Sequence, residues 1–231
     1  SVGLEDAGVH FFLAVRVNTI ANVGAYCCSA GVAIPTQIGP KILTNVYAVP
    51  TADVDVRCVM TNTAPVGPYR GAGRPEAIYV MERLVDVAAV ELGIDPIELR
   101  RRNLIRADQL PFTNSMGTTY DSGEFEKNMT QMADWAGHEA RRTKAKKRGK
   151  LSGIAVCQYI ETTAGNPTES AEVEVTGDDQ VIVRVGTQPM GQGHDTSFMQ
   201  LVSEKLGVDF ETVVIDTSDS DNLPSGGGSH G

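Results

Sequence analysis

Three glycine-rich stretches carry the residues best suited to chemistry. In "VGTQPMGQGHDT", Gln192 stands between Gly191 and Gly193 and follows Met190, where a strand-like pattern gives way to a helical one. Glycines let the main chain come close to a ligand, and an amide side chain both donates and accepts hydrogen bonds. In "GPYRGAGRPEA", Arg70 sits among Gly67, Gly71 and Gly73, so its guanidinium can grip a carbonyl or carboxylate with two parallel bonds. In the final "DSDNLPSGGGSHG", Ser225, Gly226, Gly227, Gly228 and Ser229 offer backbone N–H groups and hydroxyls to an anion. Each stretch also has a plainer reading. Residues 191–193 suit a tight strand-to-helix turn, Arg70 can tie its loop to a neighbouring acidic group or carbonyl, and 225–229 can be a flexible terminus. Arg74, just before Pro75, reads as a solvent-facing loop residue.

Other chemistries fit less well. A dinucleotide fingerprint needs a third glycine where this chain has Thr196, and a phosphate-cradling Walker loop needs a lysine that is missing here. Cys27 and Cys28 are adjacent while Cys58 and Cys157 stand singly, with no Cys-x-x-Cys pair. Zinc or iron–sulfur ligation by this chain is therefore not expected, and scattered thiols suit the reducing cytoplasm. A net charge of −9 argues against nucleic acid as partner. The basic run "HEARRTKAKKRGK", seven of thirteen residues Lys or Arg, reads as the solvated end of a helix entering a linker. The apolar "VHFFLAV" is too short to span a bilayer. At 231 residues, 41% hydrophobic and 21% charged, the composition is that of a globular protein with a substantial core.

The elements that must position these residues alternate between strands and helices. The first sixty residues read as strand-rich, with "HFFLAVRVNTIANVGAY" partly alternating and "VDVRCVMTN" placing Val54, Val56, Cys58 and Met60 on one half-buried face. Pro75 opens a helix whose stripe is Ile78, Met81, Leu84, Val85, Ala88 and Leu92, and Gly93 ends it. Asp95, Pro96 and Glu98 predict a capping box on a second helix. Phe125, Met129, Met132 and Ala136 predict the buried stripe of a third. After a linker at 141–150, "GIAVCQYIE" and "ESAEVEVTGDDQVIVRVGT" read as three strands with a hairpin at Gly177-Asp178-Asp179. A helix over about 195–206 and the strand "TVVIDTSDSD" follow. The expectation is an α+β fold in two lobes of mixed strands with packed amphipathic helices: residues 1–140, then the linker, then 151–231.

Together, "TNTAPVGPYRGAGRPEAIYVMERLVDVAAVELGIDPIELRRRNLI" and "GTQPMGQGHDTSFMQLVSEKLGV" through the C-terminus resemble the molybdenum-cofactor-binding subunit of the xanthine dehydrogenase and aldehyde oxidase family. Residues 109–150 match poorly. The resemblance implies that Met190, Gly191, Gln192 and Gly193 contact the pterin, that the loop containing Ser225, Gly226, Gly227, Gly228 and Ser229 wraps the phosphate end, and that Arg70 orients substrate. It implies molybdopterin, in the cytosine dinucleotide form, with iron–sulfur and flavin (FAD) partner subunits or domains. The implied reaction oxidises an aldehyde or N-heterocycle with oxygen from water. Molybdenum takes its sulfur ligands from the pterin, so no protein metal ligand is expected. In the family's carbon monoxide dehydrogenases a copper-binding cysteine follows the arginine, where this chain has Gly71; purine-oxidising members carry an aromatic residue in place of Ala72. The family's catalytic glutamate has no counterpart in these 231 residues, so they are expected to be a piece of a larger subunit, inactive in isolation. The competing expectation is a non-catalytic scaffold or assembly piece of such a complex; a dinucleotide-binding oxidoreductase is third.

Overall fold

A computed structural model describes residues 2–4, 10–149, 151, 153–161 and 169–226. Helices and small sheets mix along the chain in an α+β fold with two compact units, Ser1–Glu161 and Thr162–Gly231.

In the first unit, β1 (Val2–Leu4) pairs antiparallel with the long β2 (Phe12–Gly24), which pairs parallel with β3 (Thr51–Met60). The parallel register runs from Ala14 opposite Thr51 to Gly24 opposite Met60. Parallel strands need a crossover rather than a tight turn. Here it contains α1 (Ser29–Ala33), a π-helical turn at Ile34–Ile38 and a 3-10 turn at Pro40–Ile42. The strand-rich reading of this region missed these turns: Pro35 and Pro40 each restart the chain, and pieces this short show no helical period. In β3 the expected alternation holds for the half-buried Val54 and Val56 but fails at Cys58 and Met60, which are exposed.

α2 (Arg74–Leu92) has Pro75 in its first turn and stops at Gly93, whose φ of 66° only glycine adopts easily. It buries Ala77, Met81, Val85, Ala88 and Ala89 against Phe12, Tyr47 and Leu99 in one core. Phe12 and Tyr47 meet edge to face, centroids 5.7 Å apart. α3 (Pro96–Asn103) is capped by Asp95, whose carboxylate accepts from the N–H groups of Ile97 and Glu98 at 2.9 and 3.2 Å. The reciprocal half of the expected box is replaced. Glu98 turns to Arg101 and Arg102 (2.7 and 2.9 Å), and the bonds from Arg102 and then Arg101 hold its carboxyl below the usual range.

Between these helices lies a buried polar knot. Arg100 is 1% exposed and donates from Nε to Glu82 Oε2 at 2.9 Å, from a terminal nitrogen to Asp86 Oδ1 at 2.9 Å, and to Pro96 O at 3.1 Å. The other oxygen of Glu82 accepts from Tyr47 Oη at 2.6 Å and Asn45 Nδ2 at 2.9 Å. Nearly every strong donor and acceptor is thus matched, as burial demands.

β4 (Phe112–Thr113) and β5 (Thr119–Tyr120) make a small hairpin. α4 (Phe125–Trp135) buries Met129, but Met132 of the predicted stripe is half exposed. α5 (His138–Lys147) stays helical through most of the stretch read as linker. Residues 153–161 form no strand ladder, contrary to the sequence reading. Side-chain bonds hold them instead: Asn45 Nδ2 donates to Gln158 O at 2.7 Å, and Gln158 Nε2 donates to Phe125 O at 3.1 Å.

In the second unit, β6 (Ala171–Val175) and β7 (Val181–Val185) form the expected hairpin, with Asp179 at φ 63° and Thr176 N–H bonded to Gln180 O. β8 (Val213–Asp216) pairs parallel with β7. α6 (His194–Leu206) makes the crossover, packing Phe198, Met199 and Val202 on Val181, Val183 and Val213. Among the described residues no helix is long and apolar enough to cross a membrane.

Candidate functional site

Because β7 and β8 are parallel, the chain leaves both from the same edge of their sheet, the edge where open α/β sheets place ligands. From β7 runs the turn 186–193; from β8 runs 217–226. Glycine decides how closely the two approach. A Cβ on Gly186 would lie 2.5 Å from Pro224 O and 2.6 Å from Gly226 N, so only bare main chain fits there. Gln188 Nε2 reaches across to Thr217 O at 3.3 Å. Two of the three glycine-rich stretches are therefore side by side within this unit.

Gln192 braces its own turn: its Oε1 accepts from Met190 N–H and its Nε2 donates to Gln188 O at 3.4 Å. Gly191 (φ 94°) and Gly193 (φ 81°) have open space where a side chain would be, and Met190 is exposed. Gly193 passes directly into α6, whose first N–H groups have no partner within the helix and present a positive end. His194 is buried there, stacked on Phe198 with ring centroids 4.9 Å apart. At the end of β8 the N–H and then the hydroxyl of Ser218 hold the Asp216 carboxyl below its usual range. Ser225 and Gly226 are exposed; Gly227, Gly228 and Ser229 lie outside the described residues. The resulting ledge is open, made of main chain and rich in amides. It offers main-chain and amide hydrogen-bonding groups to a polar ligand. Among the described residues no cluster of three or more His, Cys, Asp or Glu is placed to hold a metal ion.

Arg70 belongs to the first unit, exposed in the turn before α2. Gly71 (φ 93°) and Gly73 (φ 93°) carry that turn, and a Cβ on Gly73 would lie 2.7 Å from Ile34 O. The sequence reading missed how the loop is held. Arg74 is the first residue of α2, its side chain 15% exposed, paired with Glu161 at 2.8 Å and bonded to Gly71 O at 3.3 Å. It is an internal brace for the arginine loop rather than a solvent-facing residue. Its position just inside a helix start was the available signal.

Residues 1–104 and residues 128–231 each match the molybdopterin cofactor-binding domain family, between them nearly the whole chain. The chain is 32% identical, over 95% of its length, to the carbon monoxide dehydrogenase large chain of Hydrogenophaga pseudoflava. It is likewise 32% identical, over 90% of its length, to the xanthine dehydrogenase molybdenum-binding subunit of Escherichia coli O157:H7. It spans 30% and 28% of those two relatives. The crystal structure of quinoline 2-oxidoreductase from Pseudomonas putida 86 superposes with a TM-score of 0.82 at 31% identity, over 94% of this chain and 30% of that one. With two cofactor-binding domains in order and a matching fold, the chain belongs to the molybdopterin-binding large subunits of the xanthine dehydrogenase and aldehyde oxidase family.

Proposed function

We propose that this chain supplies part of the cofactor cradle and one substrate-orienting arginine of a molybdenum hydroxylase acting on an aldehyde or N-heterocycle. The observation that carries the proposal is the open, glycine-built ledge at the shared edge of β7 and β8, inside the second cofactor-domain match. When bound, the molybdenum–molybdopterin group supplies oxidative hydroxylation with oxygen taken from water. Main chain at Met190, Gly191 and Gly193 and the Gln192 amide hold the pterin. Ser225 and Gly226, with Gly227, Gly228 and Ser229, take the phosphate end, in the cytosine dinucleotide form. Arg70 orients the substrate oxygen by charge-assisted hydrogen bonds. The first cofactor-binding lobe takes in residues 1–140, and the unit Thr162–Gly231 belongs to the second. The proton acceptor is a glutamate outside these residues, and iron–sulfur and flavin partners carry electrons away in the cytoplasm.

Gly71 supports a substrate other than carbon monoxide. Its φ is 93°, and a Cβ there would meet the Pro75 ring at 2.7 Å, so the turn disfavours a copper-binding cysteine.

The test uses the complete subunit in its complex. Gln192→Ala should lose most bound molybdenum by elemental analysis. Arg70→Ala should keep its molybdenum and lose about 10²-fold or more in turnover, the usual effect of deleting one such donor. Full metal content in Gln192→Ala together with unchanged turnover in Arg70→Ala refutes the assignment. A wild-type complex devoid of molybdenum favours the scaffold reading instead.

A further inference from the structure

Cys27 and Cys28 are consecutive and both exposed. In a strand, neighbouring side chains point to opposite faces. Here β2 has ended, and Tyr26 (φ 62°) and Cys27 (φ 45°) turn the chain out of the pleat before α1 begins. Two thiols on adjacent residues of a turn hold each other at high local concentration. Once one has bonded to a thiophilic centre, the second bond is intramolecular, at an effective concentration on the order of millimolar or above. Cys58 and Cys157 have no cysteine beside them in the chain.

The turn is also tied to the arginine loop. Ala25 N–H donates to Thr63 O at 3.0 Å, Thr61 N–H to Gly24 O at 3.1 Å, and Val66 N–H to Val23 O at 3.3 Å. Beyond the cysteines, a Cβ on Gly31 would lie 2.3 Å from Val66 O. The segment carrying the thiols therefore grips residues 61–66 from both sides, and those residues run directly into the loop of Arg70.

We propose that Cys27 and Cys28 form a dithiol site for trivalent organoarsenicals of the class R–As=O, at the turn that braces the Arg70 loop. Two As–S bonds form and two S–H bonds break. The oxygen leaves as water with both protons, and arsenic stays trivalent, so no oxidant or reductant is required. Soft thiolate donors suit such a centre. The binding stands independently of the role proposed for Arg70; only an effect on turnover would rest on that role.

The test treats the complete subunit with phenylarsine oxide, then with excess mercaptoethanol, which strips adducts held by one thiol. Intact mass should show one phenylarsenic group retained per chain, removed by the dithiol dimercaptopropanol. Proteolytic mapping of the wild-type adduct should place it on the peptide containing residues 27 and 28. Cys27→Ser and Cys28→Ser should each lose it, and Cys58→Ser should keep it. Loss of the adduct to mercaptoethanol overturns the proposal, as does its mapping to another peptide or its persistence in either serine variant. The mapping needs no variant to fold.

Discussion

Arg100→Met probes the buried ion pair that joins α2 to α3. Arg100 and Glu82 have side chains 1% and 7% exposed, with a terminal guanidinium nitrogen 2.8 Å from Oε2. Methionine fills much of the space but leaves Glu82 with only the Tyr47 and Asn45 donors. Stranding one partner of a buried pair costs about 3–5 kcal/mol. The Asp86 contact adds little: that carboxylate is 31% exposed, and water replaces the lost partner at a cost of about 0–1 kcal/mol. Local opening is read by hydrogen exchange and mass spectrometry on peptides spanning residues 74–103 in the complete subunit. At about 1.4 kcal/mol per factor of ten, protection should fall by roughly two to nearly four powers of ten. Adding Glu82→Leu should restore part of it, because an apolar pair removes the stranded charge although Tyr47 and Asn45 lose an acceptor. Protection in Arg100→Met within about threefold of wild type, under 1 kcal/mol, would refute the view that this pair clamps the two helices.

Burial, and after it the Glu82 carboxylate, push the Tyr47 phenol well above its ordinary 10.0. The folded chain then keeps a proton that the unfolded chain releases, so the stability it contributes is intact below pH 10 and declines as pH rises beyond that. Tyr47→Phe should flatten the alkaline loss of protection in the same peptides; equal slopes in both proteins would remove Tyr47 as the cause. In the second unit, Gly186→Ala sets a methyl 2.5 Å from Pro224 O, and overpacking of this kind costs about 1–3 kcal/mol. Exchange in β7 should speed up and molybdenum content should drop; no change in either would show that the two turns yield freely.

What the sequence revealed, and what it hid, follows from the range of the forces involved. α2, α3 and α6 were legible because their limits are set locally: Pro75 and Gly93, Asp95 and Pro96, Gly193 and Gly207. The β6–β7 hairpin was legible for the same reason, with valines alternating around a Gly-Asp-Asp turn. The candidate ledge was visible as residue types, but not the pairing of Gly186 with Gly226, forty residues away. Arg100, Arg101 and Arg102 look alike in the sequence, yet successive residues on a helix face about 100° apart. Only Arg100 turns toward Glu82 and is buried. Residues 153–161 had the composition of a strand, but they pair with no described strand, and side-chain amides anchor them instead. The helical crossover between β2 and β3 escaped because each of its pieces is five residues or fewer, far short of the roughly 11–18 residues over which a helical period can be read.

Where Gly186 meets Gly226, two peptide planes rest against each other with no side chain between them. A wall of that kind has nothing for a point substitution to trim or extend; any group larger than hydrogen forces the strand ends apart. New ligand preferences would have to arise around it, by inserting or deleting residues in the connections leaving β7 and β8, or by exchanging what Gln188 and Met190 display. The floor of the ledge stays constant while its rim is free to vary.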